Sequence, residues 1–80
     1  MDRHCRAFDL IVQELKRELR SEDIAPEKFA RIEKALTDLR DLHIYQAVES
    51  GLEHKNIALG YSMSTGRVTQ THNAMKRKFP

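Results

Sequence analysis

Tryptophan is absent from this 80-residue chain, cysteine occurs once, proline twice and glycine three times. A single cysteine, Cys5, cannot close an internal disulfide, which fits a reducing compartment. No apolar run approaches the length of a membrane span. The opening stretch MDRHCRAFDLIVQELK carries charges throughout and lacks the apolar core of a signal peptide. These absences predict a cytoplasmic protein that does not enter a membrane. Cys5 adjoins His4, but His43, His54 and His72 are scattered and no metal-ligand spacing emerges, so Cys5 and His4 read as an exposed, frayed terminus rather than a zinc site. No Ser/His/Asp set, paired carboxylates or glycine-rich phosphate loop stands out, so neither an enzyme nor a cofactor is expected.

What is present suits one small, globular domain. The chain is 40% hydrophobic and 32% charged, and only 6% aromatic. A chain of this length buries a modest core, so help from a partner subunit is a reasonable expectation. The net charge is only +2, but its distribution is uneven. Residues 1–42 carry nine Lys/Arg against ten Asp/Glu, and residues 43–80 five against two. Glu53 is the last acid, so every formal charge that follows is positive. Such an end attracts a polyanion, although a basic tail can also simply solubilise a small domain.

Hydrophobic periodicity is helical nearly everywhere. Phe8, Ile11, Val12, Leu15 and Leu19 recur three and four apart over about residues 2–20, with Arg6, Asp9, Glu14, Lys16 and Arg17 assigned largely to the other side. A second helix starts near Pro26, which suits a first helical turn, and Glu27 is favourable near the positive end of its dipole. Phe29, Ile32, Leu36 and Leu39 form its stripe. Two amphipathic helices joined by a short polar link read as an antiparallel hairpin. Either one long helix, kinked near Thr37, or two helices fill 26–50, with Gly51 ending them. A short helix follows at about 54–60. Ser64 then caps a final helix reaching Lys78.

A short helix, a tight turn and a longer helix form the helix-turn-helix plan. Val68, Met75 and Phe79, with Thr71 between them, give the last helix an apolar side. Arg67, Thr69, Gln70, Asn73, Lys76 and Arg77 remain for the other side. Gln and Asn side chains can pair bidentately with adenine in the major groove, while Lys76, Arg77 and Lys78 suit phosphates. The small Ala58, beside Ile57, allows the two helices to approach closely. Gly66, early in the last helix, reads either as a place for close backbone approach or as a weak helix start.

Residues 48–79 resemble the LuxR/GerE-type DNA-binding domain through Ser50-Gly51-Leu52, Lys55-Asn56-Ile57-Ala58, Tyr61-Ser62-Met63-Ser64, Val68, and Met75 through Lys78-Phe79. Sigma-factor region 4 domains share much of the pattern. The resemblance implies base contacts from Thr69, Gln70 and Asn73. It also implies phosphate contacts from Lys55, Ser64, Thr65 and Lys76, to which the helix pattern adds Arg67 and Arg77. The sequence departs from the family in three ways. Ser62 stands where the family's turn usually has Gly, predicting a different turn conformation. Thr71 replaces a frequent His. The usual C-terminal dimerisation helix has no counterpart before Pro80.

These observations predict an all-α protein with an N-terminal helical hairpin (1–42) followed by a C-terminal helix-turn-helix (43–80) in one compact unit. The expected function is that of a small sequence-specific transcriptional regulator of double-stranded DNA, bacterial or carried by a phage or plasmid and associated with the nucleoid. A homodimer on a palindromic operator is expected, paired through Phe8, Ile11, Leu15, Leu19, Phe29, Ile32 and Leu36 of the hairpin. The competing expectation is a protein-interaction module, an anti-activator that binds a regulator or a polymerase through the stripe Phe8, Ile11, Leu15 and Leu19.

Overall fold

A computed structural model describes residues 2–79, all helical apart from short connections: α1 (Arg3–Ser21), α2 (Pro26–Glu49), α3 (His54–Tyr61) and α4 (Thr65–Lys78). Several helix ends are set by local chemistry. The Asp2 carboxylate accepts the Cys5 amide at 2.9 Å and closes the first turn of α1. That hydrogen bond favours the charged carboxylate and lowers its pKa. Pro26 occupies the first turn of α2, where its missing N–H has no partner to lose. Residues 26–49 form one uninterrupted helix. Gly51 stops it at φ 96°, and the Leu52 amide donates back to the Ala47 carbonyl at 3.1 Å. The Ser64 hydroxyl accepts the Arg67 amide at 3.1 Å to open α4.

α1 and α2 form the antiparallel hairpin. Phe8 stacks on His43 with ring centroids 4.2 Å apart. Farther along, Lys16 donates to Thr37 at 3.1 Å, and Arg20 lies 3.6 Å from Glu33. The sequence number falls on one helix as it rises on the other. α4 lies along the opposite side of α2, also antiparallel: His72 meets Tyr45 and Glu49, while Met75 and Phe79 share a groove with Leu42 and Ala35. The short α3 packs against both α1 and α4.

One core draws on all four helices: Cys5, Ile44, Ala47, Ile57, Ala58, Tyr61 and Val68, with Phe8, Val48, Leu52 and Met63 against it. Hairpin and helix-turn-helix therefore stabilise each other, and the position of α4 depends on both. Gly60 permits a close crossing. A Cβ there would stand 2.7 Å from the Cys5 Cβ, so only glycine lets α1 and α3 meet at this distance.

Three expectations need correction. Cys5 is fully buried rather than exposed at a frayed end, and its desolvated thiol is pushed up to about 12. Asp9 is buried instead of facing solvent, because the covered face of α1 runs through Cys5, Asp9 and Val12 and is turned away from the expected stripe, leaving Ile11 and Leu15 exposed. Phe79 is 50% exposed, because it follows the last turn of α4 rather than lying within the helix. Among the described residues, no helix is long and apolar enough to cross a membrane.

Candidate nucleic-acid interface

The turn between α3 and α4 is set by Ser62, in the left-handed region at φ 55° and ψ 45°. This is the conformation glycine adopts without strain, and a side chain there costs about 1 kcal/mol. Serine takes the left-handed shape itself. The Met63 amide then donates to the Ala58 carbonyl at 3.0 Å, which closes the end of α3. Buried Ile57, Ala58 and Tyr61 hold α3 to the core, and Val68, Thr71 and Met75 hold α4.

With those three side chains buried, the opposite face of α4 follows from helical spacing. Gly66, Gln70, Asn73 and Arg77 recur at intervals of four, three and four, and all are exposed. They form one outward stripe. Thr69 and Lys76 flank it on the side nearer α3, and Arg67 and Lys78 on the other, again exposed. Ser64 and Thr65 lie at the start of the helix, and Lys55 is exposed in the first turn of α3. Ser64 uses an oxygen lone pair to cap the helix and keeps its hydroxyl proton available. The fold thus brings Lys55, Ser64, Thr65, Arg67, Thr69, Gln70, Asn73, Lys76 and Arg77 to solvent on α3 and α4. A Cβ on Gly66 would meet nothing within 4 Å, so internal packing does not require glycine there. The basic last turn, Lys76 to Lys78, also complements the negative end of the helix dipole.

The histidines proved less scattered than their spacing suggested. His54 Nδ1 lies 3.0 Å from the Thr69 hydroxyl, which also donates to the Thr65 carbonyl at 3.3 Å. His72 Nε2 lies 2.9 Å from a Glu49 oxygen, and its ring stacks on Tyr45 at 5.4 Å. The His54 and His72 rings are 6.4 Å apart. This cluster ties α4 to both α2 and α3 next to the outward stripe. It draws on three helices, so no local spacing announces it. Among the described residues, no group of three or more His, Cys, Asp and Glu could hold a metal ion.

In the hairpin, Phe8, Leu19, Phe29, Ile32 and Leu36 are half-buried within a single chain. Ile11 and Leu15 stay 60% and 46% exposed. Leu39 is also exposed and lines an open groove with Ala35, Leu42, Met75 and Phe79.

Comparison with known proteins adds no relative. No family model matches the chain, and neither does any curated protein or solved structure. What α3 and α4 can do therefore rests on their own geometry. That geometry is a rigid helix that presents amide, hydroxyl and cationic groups, with no carboxylate on its outward face.

Proposed function

We propose that the protein is a small sequence-specific binder of double-stranded DNA that acts as a transcriptional regulator, with α4 as its reading helix. The observation that carries this reading is the outward stripe of α4. Gln70 and Asn73 stand exposed on it, opposite the buried Val68, Thr71 and Met75, with cations on both sides. A helix of this kind fits the major groove, where amide side chains can pair with base edges. Thr69, Gln70 and Asn73 serve as the base-reading residues. Lys55, Ser64, Thr65, Arg67, Lys76 and Arg77 supply phosphate contacts, which position the helix and carry most of the affinity. The resemblance of residues 48–79 to LuxR/GerE-type domains implies the same roles for Thr69, Gln70 and Asn73 and for Lys55, Ser64, Thr65 and Lys76.

A dimer completes the reading. Two copies on one duplex double the interface and read a palindrome. The exposed Ile11 and Leu15, with the half-buried Leu19, Phe29, Ile32 and Leu36 beside them, supply an apolar surface on the hairpin for that pairing. Phe8 contributes less, since it already stacks on His43 within its own chain.

Selection from a random duplex pool tests the proposal, with the oligomeric state measured alongside. The expected outcome is enrichment of a palindromic consensus by a dimer. Failure to bind any duplex at low salt overturns the reading and leaves the protein-interaction module in its place.

A further inference from the structure

The geometry points to His54 as a specificity-determining residue that makes Thr69 an acceptor-only reader of base edges. This inference rests on α4 being the reading helix. A threonine hydroxyl has one proton to donate and two lone pairs to accept with, so a free one can read a donor or an acceptor on a base. The Thr69 hydroxyl is not free. It lies 3.0 Å from His54 Nδ1 and 3.3 Å from the Thr65 carbonyl.

Both imidazole tautomers lead to the same result. When Nδ1 carries the hydrogen, it donates to the Thr69 oxygen, and the hydroxyl proton goes to the Thr65 carbonyl. When Nδ1 carries the lone pair, it takes the hydroxyl proton itself. Either way the single proton is used inside the protein, and only a lone pair remains for the groove. Thr69 is exposed, while His54 is half-buried at the start of α3, so the hydroxyl faces outward from a braced position. A lone pair directed into the major groove accepts from the amino groups of adenine N6 or cytosine N4. It is repelled by guanine O6 and thymine O4. His54 therefore acts as a positioning residue, and its effect appears at one base position.

The test varies that base position through all four pairs in a selected duplex. The position is identified as the one whose preference is lost in Thr69→Val, which keeps the shape and removes the hydroxyl. Wild type is expected to favour adenine or cytosine on the strand it reads. His54→Ala leaves the hydroxyl only the longer 3.3 Å bond to the Thr65 carbonyl, from which it can turn to donate to a base. This variant is expected to reduce that preference by about tenfold, within the range of one direct base contact, and to leave the other positions unchanged. His54→Asn is expected to restore it, because an amide can meet the hydroxyl from the position of Nδ1. An equal loss on all four duplexes in His54→Ala, or an unchanged four-base preference, overturns the inference while DNA reading stands. A Thr69→Val protein that keeps every base preference also overturns it. If wild type selects no duplex over random DNA, the DNA-binding reading fails, and this inference fails with it.

Discussion

His43 lies between two helices, with Phe8 stacked on one side and the Tyr61 hydroxyl hydrogen-bonded to Nδ1. Burial lowers its pKa from the ordinary imidazole value of 6.5, because desolvation penalises the charged ring. The unfolded chain therefore binds this proton more readily than the folded one. The contribution to stability is complete above pH 6.5 and is lost as pH falls through that value and then through the lower folded value. Urea midpoints measured between pH 7.5 and pH 5 are expected to fall, and to fall less in His43→Gln. Gly60 gives a second prediction at this scale. Gly60→Ala places a Cβ against Cys5 and is expected to cost about 1–3 kcal/mol, the usual range for overpacking a core, as a lower thermal midpoint. Neither role was visible in the sequence. Both depend on which helices meet, as do the burial of Cys5 and the contact between His54 and Thr69. Local spacing carries no information on a meeting between residues 54 and 69, or between 5 and 60.

At the scale of the element, much more was legible, because the signals are local. The Ser64 cap, Pro26 in a first turn and Gly51 at positive φ each act within a few residues of themselves, and each stands where its chemistry places it. The buried side of α4 was legible at Val68, Thr71 and Met75, since three-and-four spacing defines one face. It failed only at Phe79, where the helix has already ended. Ser62 was the harder case, because a left-handed serine has no sequence mark comparable to glycine. The same spacing places Lys76 on the flank of the outward stripe. Lys76→Ala is expected to weaken binding to selected and random duplexes alike. It should also reduce the slope of log affinity against log salt by about 1, the loss of one phosphate contact. A change of sequence preference in this variant would instead place Lys76 among the base readers.

Across the whole molecule, the two halves act as one body, since Cys5, Ile44, Ile57 and Val68 belong to the same core. The hairpin is therefore more than a tether for α3 and α4. Its opening segment braces α3 through Gly60, and α2 braces α4 through Tyr45, Glu49 and His72. Farther along, Ile11 and Leu15 stay exposed, available to the proposed pairing of two copies. The double substitution Ile11→Glu and Leu15→Glu removes apolar area at exposed sites. It is expected to leave the thermal midpoint of the monomer nearly unchanged and to shift the protein to a monomer in analytical ultracentrifugation. A dimer that survives this change must use another surface.

Everything proposed for this protein depends on the outward stripe of α4 reading DNA sequence. The most direct test compares the affinities of wild type and Asn73→Ala for a selected duplex and for a scrambled one. Asn73 is exposed in the middle of the stripe, opposite the buried side chains, so its loss should leave the fold intact. The expected result is a loss of about 1–3 kcal/mol on the selected duplex and almost none on the scrambled one. An equal loss on both, or no loss on either, would contradict it.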